Sequence, residues 1–476
     1  MATANSINSG VRSPQILEQM DQLAAAILQE QKKICKLKGP DADKVDLLSQ
    51  KFAEYVRSRG REFVYRYISS GRGYGPFTEL VDGSVKYDMI NGIGTNVLGH
   101  AHPLMIRSNL EAALVDTVMC GNLQTYIDAN ETAITLLNAV REKSRLRHFW
   151  FSGSGSCSND LALKLLWQKR APKYNLIAFR KAFAGRSIAT QDITDKPDYR
   201  EGMPHLLNVH YAPHFDQKNP DPQASIRNTM AALEEIWAQE GDTFCGLVIE
   251  LVQGEAGFIF GPREFYLEIF KWAKDRGIYI WVDEVQTFAR TRQLFAFQMF
   301  GLDEFVDVVT VAKAFHVCGT LFTEELNPRP GLIAGTFNGS IAGLKMGRKS
   351  VQHLLSENYY GDDGKIARLE RTFLKRFKEI AEGVGRNKIT YYGGIGSMIS
   401  FEVGDGSKKI TNEFSNKLFE NGVICFTAGQ NPMRIRFLLP LVLADVNSSD
   451  SGEYIDNKYI DEIFSIVEKT VMEVLK

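Results

Sequence analysis

Between about Pro103 and Gly335, strand-sized apolar runs alternate with helix-sized amphipathic segments, and this alternation constrains the fold more than any other feature of the chain. The runs read "HFWFSG", "YNLIAF", "FCGLVIEL", "IYIWVDE" and "DVVTVAK". Such an order is expected of a parallel sheet with helices on both faces, an α/β architecture. One unit shows the logic. Tyr266, Ile269, Phe270 and Ala273 make an i, i+3, i+4, i+7 stripe, Gly277 offers a helix stop, and Ile278 to Val282 is a short buried strand. Asp283 is therefore expected at the carboxyl end of that strand.

The flanks follow different rules. From Gln15 to Phe63 apolar residues recur at three and four spacings (Ile16, Met20, Leu23, Ile27), which predicts amphipathic helices. Gly71 to Gly75 breaks that pattern, and "FTELVDGSVKYDMI" alternates around Asp82-Gly83 as a hairpin does. After Gly335 come long charged helices (Lys345 to Asn358, Asp363 to Glu382), short strands near "GSMISFEV" and "MRIRFLL", and a helix from Tyr459. A chain of 476 residues exceeds what one core usually organises. The expected layout is an N-terminal helical segment over 1–80 that joins the small domain, a large domain over 81–335, and a small α+β domain over 336–476.

Composition narrows the function. Lys plus Arg (56) nearly balances Asp plus Glu (57), so no global field draws the protein to nucleic acid or an anionic membrane, and small-molecule chemistry is the better expectation. Cys35, Cys120, Cys157, Cys245, Cys318 and Cys425 lack CxxC spacing, which argues against a disulfide framework or zinc site and fits a reducing, cytoplasmic compartment. No apolar run approaches the roughly 18 residues of a membrane span. Met1 to Pro14 is polar, without a signal core, and reads as a frayed tail.

In open parallel sheets, ligands bind outside the carboxyl ends of the strands. Asp283 in "IWVDEVQ" and Lys313 in "VVTVAKAF" both follow strand runs and plausibly face one crevice. The carboxylate there suits a metal, a helix cap or a cationic heterocycle; the lysine is either structural or an amine whose burial lowers its pKa into the nucleophilic range. Ahead of the amphipathic "LALKLLWQK", the segment "FSGSGSCSND" leaves backbone N–H groups free at a helix start, a phosphate site. A phosphate cradle, a strand-end Asp and a strand-end Lys together are what pyridoxal phosphate requires of a protein.

With these residues in place, the chain from about Gly73 onward resembles the class III aminotransferases of the fold-type I pyridoxal-phosphate family. The motifs are "VDEVQ", "AKAF" about thirty residues later, "VIELVQGEAG", "GTFNG" and "IRFLLPL". Within that family, 4-aminobutyrate aminotransferases are similar in "GSCSND", and lysine 6-aminotransferases in the same places. The resemblance implies that Lys313 carries the cofactor as a Schiff base and moves the substrate proton, while Asp283 keeps the pyridine nitrogen protonated and Gln286 bonds the ring hydroxyl oxygen. It further implies that Gly155 and Ser156 bind the phosphate and that Phe183 stacks on the ring. Thr336 would reach the phosphate of the neighbouring subunit, hence a homodimer with shared active sites.

For substrate, the resemblance gives Arg186 to a carboxylate at a fixed distance from the amine. It gives Arg436 to the acid group of glutamate, with Glu255 masking it when an ω-amino acid is bound. The implied reaction is transamination of an ω-amino acid of the 4-aminobutyrate or lysine type, with 2-oxoglutarate as acceptor. An isomerase sharing the same Lys and Asp, or a non-catalytic protein of the same fold, are the alternatives. Two departures stand out. The family's "FHGR" is here Phe183-Ala184-Gly185-Arg186, which puts substrate range in question, and Ser154 replaces a cysteine that helps hold an iron-sulfur cluster in animal 4-aminobutyrate aminotransferases, so no metal is expected. His316 and Cys318 are expected in the pocket wall, and His100 and His102 in structural roles.

Overall fold

The computed structural model describes residues 13–116, 119–121, 123–219, 221–445 and 453–475. Residues 1–12 of the expected tail lie outside that description, whereas Ser13 caps the helix Pro14–Gln31 by accepting the Ile16 N–H at 3.3 Å.

All five apolar runs form strands of one seven-stranded sheet. Its order is Leu146–Ser152, Cys318–Thr323, Val308–Val311, Tyr279–Asp283, Phe244–Ile249, Asn175–Phe179, Val209–Ala212. The last five run parallel in register, with Thr310 beside Asp283 and Ile249 beside Val282. Helices pack on both faces. On the helix Arg263–Asp275 the predicted stripe Tyr266, Ile269, Phe270 and Ala273 is wholly buried, each large side chain contributing about 2 kcal/mol of burial. Gly277 follows with φ +64°, a left-handed turn that lets the chain re-enter the sheet.

One strand is not in the sequence expectation. Cys318–Thr323, read as pocket wall, runs antiparallel between Val308–Val311 and Leu146–Ser152. The physical reason is chain length: only residues 312–317 separate it from the preceding strand, too few for a crossover helix, so the chain must reverse.

The expected hairpin also forms, with Phe77–Leu80 antiparallel to Val85–Asp88. It belongs to a four-stranded sheet completed on one side by Ser69–Tyr74 and on the other by Val423–Ile424, which pairs parallel to Val85–Asp88. N-terminal and C-terminal segments are thereby woven together: Tyr65 stacks on Phe426 at 4.0 Å, and its hydroxyl accepts the Thr427 N–H at 3.0 Å. A second four-stranded sheet, Ile389–Ile395, Met398–Val403, Arg434–Leu438 and Phe426–Ala428, is antiparallel throughout and is flanked by Lys365–Glu382, Lys408–Asn421 and Lys458–Val474. The strand Arg434–Leu438 carries Arg436 toward the loop that follows Phe244–Ile249.

Candidate active site

A cleft of about 410 Å³ opens at the carboxyl ends of the parallel strands, within the size range of small-molecule sites. Asp283 ends one strand, and Lys313 follows its neighbour after a single intervening residue, so the register brings both into the same cleft. Lys313 opens one turn of 3-10 helix with φ +46°, left-handed backbone that costs a non-glycine residue about 1 kcal/mol. Strain of this kind persists where the surroundings over-determine it, commonly at functional positions.

Asp283 is buried. One carboxylate oxygen accepts the Val285 N–H at 2.9 Å, and the other accepts the Asn159 amide at 2.8 Å. Burial raises its pKa, opposed by those two hydrogen bonds and by Lys313. A buried carboxylate held only by neutral donors and pushed toward protonation lacks a hydrogen-bonded cation, and a protonated pyridine nitrogen is such a cation. Burial equally lowers the Lys313 ammonium, with Arg436 adding to that effect and Glu255, Asp283 and Glu250 opposing it, so the free amine needed for nucleophilic attack is favoured.

The phosphate end is built by the helix Gly155–Arg170. Ser154 caps it, its hydroxyl accepting the Cys157 N–H at 3.1 Å, and the first intrahelical bond runs from Ser158 N–H to Ser154 O. The N–H groups of Gly155 and Ser156 precede that bond and sit at the positive end of a 16-residue helix whose start lines the cleft. A Cβ on Gly155 would stand 3.1 Å from Val285, so glycine keeps this wall open. A buried carboxylate, a nucleophilic lysine and a helix start around one cleft fit pyridoxal 5'-phosphate.

Phe183 lines the same cleft on the loop after Asn175–Phe179. Gln286 lines it also, and its Oε1 accepts from Arg436 Nη1 at 3.4 Å. Glu255 and Arg436 meet as an ion pair of 2.8 Å, the arginine buried and the glutamate partly open to the cleft. Burial works to raise the Glu255 pKa, yet Arg436 and Lys313 hold it below the usual carboxylate value.

One expected residue lies elsewhere. Arg186 is absent from the cleft lining: it is exposed and rests over the Tyr199 ring at 3.9 Å, while its backbone N–H donates to Ser156 Oγ at 3.3 Å. Thr336, expected at the phosphate of a neighbouring subunit and not in this chain's own cleft, is exposed, its backbone packed against Gly121. Cys318 lines the cleft wall as expected. His102 caps the helix Pro103–Ala113, accepting the Leu104 N–H at 3.3 Å, and His100 bonds Asp88 at 2.9 Å.

Two cleft residues escaped the sequence reading. Asn159, one turn along the helix from Gly155, bonds both Asp283 and the Ala184 carbonyl (2.6 Å), and Glu250 directly follows the wholly buried strand Phe244–Ile249. Each carried a signal: an amide on the buried helix face of Leu163 and Leu166, and a carboxylate directly after an apolar run, the very placement that singled out Asp283.

Comparison with known proteins agrees with this geometry. The profile of the class III aminotransferases matches residues 59–456. An acetylornithine aminotransferase from Archaeoglobus fulgidus is 28% identical over 382 residues, 79% of this chain and 91% of the relative. A probable 4-aminobutyrate aminotransferase from Bacillus subtilis is 26% identical over 414 residues, 81% of this chain and 92% of the relative. Among solved structures, lysine aminotransferase from M. tuberculosis in the internal aldimine form superposes with TM-score 0.75 at 20% identity, covering 89% of this chain and 99% of that one. The fold is that of the fold-type I transaminases, and the chain belongs to the class III aminotransferases, enzymes that work with pyridoxal 5'-phosphate.

Proposed function

We propose that the enzyme transfers the terminal amino group of an ω-amino acid, of the 4-aminobutyrate, lysine or acylated ornithine type, to 2-oxoglutarate. The observation that carries this reading is the Glu255–Arg436 ion pair of 2.8 Å at the cleft wall. A donor with one distal carboxylate leaves that pair closed and presents an uncharged chain to it. Glutamate and 2-oxoglutarate bring a second carboxylate, which takes Arg436 bidentately once Glu255 turns aside. Glu255 is the partly exposed member of the pair, so it is the one with room to move.

Bound pyridoxal 5'-phosphate supplies the carbonyl that exchanges with the amine and the electron sink for the bond broken at the substrate carbon. Lys313 would hold the cofactor and, as a buried amine whose ammonium form is disfavoured, would move the proton at the substrate carbon. Asp283 keeps a proton on the ring nitrogen by accepting it as a hydrogen bond, with Asn159 fixing the carboxylate plane. Gln286 and Phe183, both lining the cleft, would hold the ring of the cofactor, the first by a hydrogen bond to its hydroxyl oxygen and the second by stacking, and Gly155 and Ser156 would bind the phosphate. Arg186 binds the distal carboxylate of the donor at the cleft mouth, drawn inward from Tyr199. Thr336 of one subunit reaches the phosphate of the other, so the working unit is a homodimer.

The relatives' printed activities, acetylornithine and 4-aminobutyrate transamination, share this demand for a donor amine remote from an acid group. The test is glutamate formation from 2-oxoglutarate by the purified holoenzyme with 4-aminobutyrate, lysine, ornithine and N-acetylornithine offered singly. Turnover of at least one supports the reading. Turnover of none, with α-amino acids accepted instead, removes the ω-donor assignment.

A further inference from the structure

Glu250 has no role in the scheme above, yet few side chains in the cleft are more fully engaged. It is buried, 8% exposed, at the end of Phe244–Ile249. One carboxylate oxygen accepts the backbone N–H of Phe183 at 2.9 Å, and the other accepts the backbone N–H of Gly254 at 3.0 Å. Phe183 belongs to the loop that lines the cofactor end of the cleft; Gly254 immediately precedes Glu255, and its carbonyl accepts from Arg436 Nη1 at 3.3 Å. A single side chain thus spans the two loops that bracket the cleft.

The surroundings make this span costly and therefore informative. Burial and the neighbouring Asp283 charge push the Glu250 carboxyl up to about 8, against the pull of its two N–H donors. Glutamine would fill the same volume without that penalty, but its amide offers one acceptor and one donor group, so it satisfies one of the two N–H groups and opposes the other. Only a carboxyl group can accept at both ends of so short a side chain.

We propose that Glu250 is a positioning residue that clamps the Phe183 loop to the Glu255 loop, coupling cofactor retention to discrimination between one-carboxylate and two-carboxylate substrates. This rests on the roles given above to Phe183 and Glu255, and the first arm of the test is independent of both.

That first arm is amide hydrogen exchange on the cofactor-free protein, wild type against Glu250→Gln and Glu250→Asp. In Glu250→Gln, exchange rises by about tenfold in the peptide, of Phe183 or Gly254, whose N–H meets the amide NH2, the loss expected for one hydrogen bond to a buried acceptor, and by a smaller factor at the other loop, which is no longer held against its neighbour, while the strand Tyr279–Asp283 is unchanged. Glu250→Asp, which keeps the two acceptors on a shorter stem, gives a smaller rise. A rise across the whole protein marks misfolding; in that event, Glu250→Asp alone decides, and normal exchange at both loops there overturns the clamp. Faster exchange at only one loop, or at neither, overturns it as well. The second arm measures release of bound cofactor on dilution and the ratio of kcat/KM for a monocarboxylate ω-amine to that for glutamate. The clamp predicts both change in Glu250→Gln. If both loops loosen in the first arm while Phe183→Ala retains cofactor normally and Glu255→Ala keeps the wild-type ratio, the functional roles of those two residues fail and the clamp stands.

Discussion

The two ends of the cleft are built by different means. At the cofactor end, Asp283 and Lys313 sit at the ends of adjacent parallel strands, and Asp283 is locked by Asn159 from a helix packed on the same sheet. At the substrate end, Glu255 lies on a loop, Arg436 comes from a strand of another sheet, and Arg186 rests exposed on Tyr199. The first end is rigid because its groups are fixed by the register of a buried sheet; the second is assembled from separate elements, with Glu255 partly exposed and Arg186 at the surface, so those two side chains have room to move. The groups proposed for the common chemistry sit where the sheet holds them, and those proposed to select among substrates sit where side chains have room.

Substitutions at the rigid end should therefore be the more damaging. Lys313→Ala should lower transamination by at least about a thousandfold, within the range for losing a general acid–base group, and the protein should fail to retain cofactor absorbance after gel filtration. Asp283→Asn keeps size and the Asn159 contact but removes the negative charge that holds the ring proton, and should cost about a hundredfold to a thousandfold in kcat. At the movable end, Arg436→Ala leaves Glu255 without its partner and should lower kcat/KM for glutamate by about a hundredfold, with a much smaller loss for a monocarboxylate donor. Equal losses for both donors would erase the distinction drawn here. Arg186→Ala should raise KM for the ω-donor by about tenfold with little change in kcat, the loss of a charged contact to the donor's carboxylate; a change of about twofold or less would leave the guanidinium on Tyr199 and remove it from the substrate site.

Legibility in the sequence followed the same division. The strand ends could be read because a parallel sheet places polar residues after apolar runs, which singled out Asp283 and Lys313, and the helix start at Gly155 was marked by its small residues. Glu250 obeys the same rule, directly after an apolar run, but sequence alone does not show that its two oxygens meet the N–H groups of two different loops. Asn159 required knowing which helix face meets the sheet. The meeting of Glu255 with Arg436, 181 positions apart, follows from the resemblance but not from periodicity, because no local pattern reports contacts between two sheets. Arg186 shows the limit of motif transfer: a motif gives a position in the chain, whereas the structure rests the guanidinium on an aromatic ring outside the cleft.

A smaller effect should appear in stability. The folded Glu250 carboxyl, pushed up to about 8, and Glu284, raised to about 7 chiefly by burial, keep protons that the unfolded chain releases near 4.5. Between those values the folded state binds more protons than the unfolded one, so stability contributed by these groups falls as pH rises from about 5 to about 8. Thermal unfolding of the cofactor-free protein should show that decline, and Glu250→Gln should flatten it by on the order of a degree or two in Tm. An unchanged slope would mean that Glu250 is ionised throughout.

The central claim is that Lys313 is the amine that holds the cofactor. Borohydride reduction of the holoenzyme, followed by proteolysis and mass spectrometry, tests it without any assumption about substrate. The account predicts a pyridoxyl mass increment on the peptide containing Lys313 and on no other, with loss of the visible absorbance. An increment on a different lysine, or an unmodified Lys313 peptide after full reduction, would contradict it.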